Sequence, residues 1–264
     1  MPKAYERQFY QAIGEGARRS AGEMLGVVLE YIQPRSVVDV GCGTGAWLAS
    51  FAATGTETLL GLDGPWVDLD LLEIPRESFR ITDLTQPVSL DRQFDLVVSL
   101  EVAEHLPPSA ADTFVETLTS LGSVVLFSAA IPYQGGTRHL NERWPSYWFP
   151  MFAARGFRAV DCLRSRLWRN TALEFCYSQN SYFLVRTSEL TRWPALAEAA
   201  RHLPAEPLDL VHPRLFLQST AFAKPSAELF QGWLGSLRDR WVKPGGRRTA
   251  RERARAARWP VRAD

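Results

Sequence analysis

The chain has 264 residues, 46% of them apolar, and a formal net charge of +1. That is enough for one large domain with an extension, and no apolar run approaches the ~20 residues that cross a bilayer. The charge is uneven. Residues 238–264 hold ten Lys/Arg against three Asp/Glu, a local +7 that leaves the rest of the chain at −6. An acidic body argues against a dedicated nucleic-acid platform. Three scattered cysteines, Cys42, Cys162 and Cys176, suit neither a disulfide framework nor a four-cysteine zinc site. The first twenty residues lack the apolar block of a secretory signal, so the expected compartment is the cytoplasm.

In chain order, residues 5–33 read as helical, with Pro34 as the stop. Ser36–Val40 is an apolar run that opens into Gly41-Cys-Gly-Thr-Gly45, and Ala46–Phe51 is helical. Thr58–Asp63, Phe79–Asp83, Phe94–Leu100 and Ser123–Ser128 are four further strand candidates, with helical spacing at Ser109–Leu121. Apolar strands alternating with helices predict an α/β fold whose mostly parallel sheet is covered on both faces. Gly156–Asp161 and Phe175–Arg186 read as an antiparallel pair at the sheet edge. The expected organisation is a catalytic domain over residues 1–190, a helical appendage over 191–237, and a basic tail over 238–264. The tail is too poor in apolar residues to build a core, so it is expected to be a solvated end; Trp259 and its arginines could otherwise meet an anionic partner.

Ligands of open α/β sheets sit at the carboxyl ends of the strands. Gly41, Gly43 and Gly45 lie at the first such end, where glycine lets backbone N–H groups approach a ligand. With Ala46 and the later Asp63 they also fit a dinucleotide fingerprint, so an NAD-dependent oxidoreductase is an alternative. Against it, Asp39 aims a carboxylate where a pyrophosphate would lie, and a further acid, Asp83, ends the third strand.

Val38-Asp-Val-Gly-Cys-Gly-Thr-Gly45, Asp63, Asp83-Leu84 and Phe94–Leu106, which ends in Glu101-Val-Ala-Glu-His-Leu106, together resemble the ordered motifs of class I S-adenosylmethionine-dependent methyltransferases, over residues 34–186. The resemblance implies a Rossmann-like fold and S-adenosyl-L-methionine as cofactor. Asp39, Gly41, Gly43 and Gly45 would then hold its amino-acid end and Asp63 the ribose hydroxyls. Asp83 and Leu84 would meet the adenine, with Leu100 as a wall and Trp66 flanking the ring. A cofactor-binding subunit without turnover is a third alternative, because fold alone does not secure function.

Methyl transfer to a hydroxyl needs alignment and a proton acceptor, most often histidine. Of His105, His139, His202 and His212, only His105 and His139 follow strands at the cofactor end, and both are candidate catalytic residues. His139 lies in Gly135-Gly-Thr-Arg-His-Leu-Asn-Glu-Arg-Trp144, where paired glycines accompany Arg138, Asn141 and Glu142. The competing reading is a surface loop whose His and Asn cap the next helix. Segments similar to this one occur in methyltransferases near bacterial glycan and natural-product pathways, which implies a hydroxyl of a small-molecule or glycan-type acceptor. Trp144, Tyr147, Trp148, Met151 and Phe152 form a helical stripe that reads as core, and Cys42 reads as a small loop residue. Glu101, Glu104 and His105 would share one face of a helix. Similar Glu-x-x-Glu-His sequences hold a divalent cation in ubiquinone-pathway and small-RNA O-methyltransferases, the latter with a later histidine whose part the resemblance would give to His139. Other relatives use these residues only to cap and anchor the helix, and no metal is assigned from the sequence.

Overall fold

The computed structural model describes residues 7–204 and 208–219. Seven strands form one sheet: β1 (Ser36–Val40), β2 (Thr58–Asp63), β3 (Phe79–Ile81), β4 (Leu96–Leu100), β5 (Val124–Ser128), β6 (Phe157–Val160) and β7 (Tyr182–Arg186). Their order is β3-β2-β1-β4-β5-β7-β6, and only β7 runs against the others. The expected Rossmann-like sheet with its antiparallel edge pair is therefore present. Strand order reverses between β1 and β4, which places the loops after these two strands side by side at the carboxyl edge.

The helices are α1 (Arg7–Tyr31), α2 (Ala46–Ala53), α3 (Ala111–Leu121), α4 (Pro145–Ala153), α5 (Arg164–Leu167), α6 (Phe175–Asn180), α7 (Pro194–His202) and α8 (Pro213–Ser219). Every residue of β1, β4 and β5 is buried, and alternate side chains go to opposite faces. Val37, Leu96, Val98, Val124 and Leu126 join Met24, Val28 and Phe51 in one core. Val38, Val97, Val125 and Phe127 join Phe114, Leu118, Trp148 and Phe152 in the other. The aromatic stripe of α4 belongs mainly to this second core: Phe127 meets the Trp148 and Phe152 rings edge-on at 5.7 and 5.3 Å. No helix among the described residues is long and apolar enough to cross a membrane.

Two expectations are corrected. The stretch from Phe175 was read as a single strand, but Phe175–Asn180 is helical and the strand begins only at Tyr182. The boundary near residue 190 falls inside packed structure, because the amphipathic α7 buries Leu196 and Ala200 in the first core. The described residues up to Phe216 form one unit. The basic segment 238–264, with Trp259, lies outside the described residues.

One side chain pins the start of β1. Asp95 Oδ2 accepts hydrogen bonds from the backbone N–H groups of Arg35 and Ser36 and from the Ser36 hydroxyl, at 3.0, 3.0 and 3.1 Å. Asp95→Ala is expected to lower stability by about 1–3 kcal/mol, the cost of leaving such donors unpaired. Urea unfolding would measure it, and a change within error would mean that water replaces the carboxylate without loss.

Candidate active site

The first half of the site is the loop after β1. Gly41, Gly43 and Gly45 all have positive φ, at 92°, 55° and 88°. At Gly41 the requirement is also steric, since a Cβ would lie 2.4 Å from the Val102 side chain. Gly43 faces open space, which leaves room for a ligand against the backbone. Gly61, which the motif reading passed over, is needed too: a Cβ there would meet Cys42 Sγ at 2.6 Å. Cys42 is buried and its thiol pushed well above its usual range by burial, so it is a packing residue.

Two buried acids face this loop. Asp39 pairs in register with Gly61 of β2 on one side and Val98 of β4 on the other. Burial holds its carboxyl well above the usual carboxylate range, and the charge of Asp63 adds to the shift. Asp63, at the end of β2, accepts from Gly43 N at 2.7 Å and Gly64 N at 2.6 Å. Burial raises its pKa as well, opposed by those two N–H groups. The half-exposed Trp66 lies against Gly64, where a Cβ would be 2.2 Å from the indole. Thr44 Oγ1 donates to Glu73 Oε1 at 3.1 Å, and Arg18 of α1 bonds the other oxygen, so α1 braces the loop.

The remaining motif residues are placed unequally. Leu100 is buried at the end of β4, and Leu84 is buried in the second core. Asp83 is exposed and turned onto its own loop, where Oδ1 accepts from the Thr85 hydroxyl and N–H at 2.7 and 2.9 Å. The Thr85 hydroxyl bond is the main reason its pKa falls below the usual value.

The second half follows β4 and β5. Glu101, Glu104 and His105 do not share a helical face. Glu101 takes a left-handed φ of 55°, and only the short 3₁₀ turn Ala103–His105 follows. This kink separates the two acids. Glu101 accepts from Gln134 Nε2 at 2.6 Å and Asn180 Nδ2 at 3.0 Å. Asn180 also donates to Gln134 Oε1, and Gln179 Oε1 accepts from His212 N at 2.7 Å. Sequence reasoning missed this amide cluster. Its one visible signal was the Gln179-Asn180 pair inside an apolar stretch, where polar groups demand partners.

Glu104 and His105 turn instead toward His139. The two imidazoles meet edge-on with centroids 4.8 Å apart. His105 is largely buried, and desolvation followed by the neighbouring His139 lowers its pKa to about 4, so the ring is neutral at pH 7. Burial pushes Glu104 well above the usual range, and the charge of Glu101 reinforces this. His139 Nδ1 lies 2.9 Å from Glu142 Oε1. Glu142 also accepts from Tyr133 N and Gly135 N, both at 2.8 Å, and so ties the loop around the imidazole. Tyr133, Gly135, Gly136 and Arg138 all have positive φ, and Gly136 packs directly on the ring, where a Cβ would meet Nε2 at 2.2 Å. The capping alternative is not what the loop does: Trp144 is the N-cap of α4, with no side-chain cap bond. Of the other histidines, His202 is exposed and pairs with Glu198, while His212 is held by Trp168 O at 2.9 Å.

Comparison with known proteins bears on this arrangement. No curated protein is a significant match to the sequence. Among solved structures, the sugar N-methyltransferase KedS8 from Streptoalloteichus sp. ATCC 53650 is 17% identical with a TM-score of 0.50, over 68% of this chain and 91% of that one. Streptomyces venezuelae DesVI is 17% identical with a TM-score of 0.49, over 67% and 94%. A SAM-dependent methyltransferase from Archaeoglobus fulgidus is 18% identical with a TM-score of 0.48, over 68% and 99%. Residues 17–209 match the methyltransferase domain family, a span that includes every glycine and acid described above, and the chain therefore belongs to that family and is a class I methyltransferase with S-adenosylmethionine as its cofactor.

Proposed function

We propose that the chain transfers the methyl group of S-adenosylmethionine to a hydroxyl oxygen of a small-molecule or glycan-type metabolite. The observation that carries this reading is His139, fixed through Nδ1 by Glu142 and set beside the neutral ring of His105. With Nδ1–H given to Glu142, Nε2 keeps its lone pair, which is the form a general base needs. In the reaction the acceptor O–H bond breaks and its proton goes to His139. The oxygen attacks the methyl carbon, and the C–S bond electrons stay on sulfur as S-adenosylhomocysteine. KedS8 is a sugar N-methyltransferase, which supports a sugar-bearing acceptor while leaving nitrogen as the competing atom.

In the same reading the glycine loop and Asp39 hold the amino-acid end of the cofactor, and Asp63 takes the ribose hydroxyls. Leu84, Leu100 and Asp83 stand nearest the adenine, with Asp83 leaving its Thr85 contacts to reach it. Labelled methyl from S-adenosylmethionine should appear on hydroxyl-bearing acceptors; transfer to amines alone would overturn the oxygen assignment.

Cofactor binding should also be linked to protons. In the ligand-free protein Asp39 has a raised pKa, so it holds a proton at pH values where a free carboxylate would not. A cationic ligand favours the ionised form, so binding expels that proton. Affinity is then expected to rise with pH up to the ligand-free pKa of Asp39 and to level off above it. Calorimetry in two buffers of different ionisation enthalpy measures the release, and affinity that falls as pH rises would contradict the role given to Asp39.

A further inference from the structure

Helix α6 lies outside the glycine and acid motifs yet reaches the cofactor end of the sheet. Because β7 runs against the parallel strands, the segment before it arrives at the same edge as the loops after β1 and β4. Both ends of this short helix are tied. At its N-cap Glu174 pairs with Arg19 of α1 at 2.6 Å, and the Glu174 N–H donates to the Ser20 hydroxyl at 3.2 Å. At its far end Asn180 donates to Glu101. Between them Tyr177 packs edge-on against Trp47, the second residue of α2, with ring centroids 5.2 Å apart.

Trp47 follows the last glycine of the loop by two residues and is buried in the first core. Its indole N–H is buried without a completed hydrogen bond, a state that native interiors rarely leave unanswered. It leans toward the Tyr177 hydroxyl, whose pKa it lowers. Burial outweighs that effect and, with Cys176, Glu101 and Asp39 acting in the same sense, holds the hydroxyl well above the usual tyrosine range. The phenol therefore keeps its proton at neutral pH and remains a donor. Two donors, one N–H and one O–H, thus stand together within electrostatic reach of Asp39.

The amino-acid end of S-adenosylmethionine is a zwitterion. An acid such as Asp39 answers its ammonium, but its carboxylate needs donors. Arg18 and Arg19 of α1 are already engaged by Glu73 and Glu174. We infer that Tyr177, steadied by Trp47, is a cofactor-binding residue whose hydroxyl donates to the α-carboxylate of the methionine moiety. The indole N–H then donates to the Tyr177 oxygen and the phenolic O–H to the ligand, so both donors are used and each bond strengthens the next. The inference rests on the reading that places the amino-acid end at Asp39 and the glycine loop.

The test uses the full chain and compares calorimetric affinity for S-adenosylhomocysteine and for its decarboxylated analogue, which keeps the ammonium and lacks the carboxylate. Wild type is expected to bind the analogue about 10-fold or more weakly, the size of a hydrogen bond to a charged group. Tyr177→Phe should lose a similar factor on S-adenosylhomocysteine and nothing on the analogue, because the bond it removes is absent there. Trp47→Phe keeps the ring contact and removes the indole N–H. It should show a smaller loss confined to the same ligand, and it decides if Tyr177→Phe does not fold. Equal losses on both ligands would mean a packing role and overturn the inference, as would a wild type that binds the two ligands equally. Asp39→Asn should weaken both ligands, since both keep the ammonium. That loss without any in Tyr177→Phe would keep the placement of the amino-acid end and remove Tyr177. The expected Tyr177→Phe pattern beside an unaffected Asp39→Asn would remove Asp39 and keep Tyr177.

Discussion

His139→Ala is expected to lower turnover by about a hundredfold or more while leaving affinity for S-adenosylhomocysteine near wild type, the size typical of a lost acid–base group. The separation follows from position. His139 belongs to the loop after β5, held by Glu142 and packed on Gly136, whereas the glycine loop and its acids follow β1 and β2. Deleting the imidazole removes the base proposed for the acceptor hydroxyl and touches none of the bonds around Asp63. Steady-state rates beside calorimetry distinguish the outcomes. Equal losses in rate and cofactor affinity would point to collapse of the loop, and an unchanged rate would assign the proton to another group or to simple proximity.

Asp63→Ala is expected to weaken S-adenosylhomocysteine binding by about 10–150-fold, the equivalent of about 1.5–3 kcal/mol for a hydrogen bond to a charged group. Two effects act in the same direction. The ribose loses its charged acceptor, and the N–H groups of Gly43 and Gly64 lose theirs, which loosens the loop that must meet the ligand. Asp63→Asn separates them in part. Its amide oxygen still accepts one backbone N–H while the charge is gone, so it should fall between wild type and alanine. Calorimetric affinity of the three proteins checks the order, and an alanine variant that binds like wild type would remove Asp63 from the cofactor site.

The sheet was legible in the sequence because parallel strands buried on both faces read as continuous apolar runs, and those at Ser36, Thr58 and Ser123 hardly moved. The glycine loop was legible for a local reason: positive φ and close packing leave a mark on each residue. The misread parts depend on distant partners. Phe175–Asn180 has the aromatic content of a strand, yet it folds as a helix whose last two residues feed amides to Glu101 and Gln134. The turn at Glu101 hides in a sequence with helical spacing, and its left-handed backbone shows only once Ser128 accepts its N–H. That His105 and His139 touch, 34 positions apart, follows from the β4–β5 pairing and from the Glu104 carbonyl, neither of which has a local signature.

The place of β7 has a consequence for assembly. It lies between β5 and β6, although it is the last strand among the described residues. Until Tyr182–Arg186 is available, β5 presents a bare row of backbone donors and acceptors, and β6 has no neighbour to join. The loop carrying His139 follows β5 and leads through α4 into β6, whose one strand partner is β7. A nascent chain that has not yet released residue 186 from the ribosome thus carries an open, apolar sheet edge, the geometry that recruits strands from other molecules. Pauses in synthesis upstream of that point should favour aggregation.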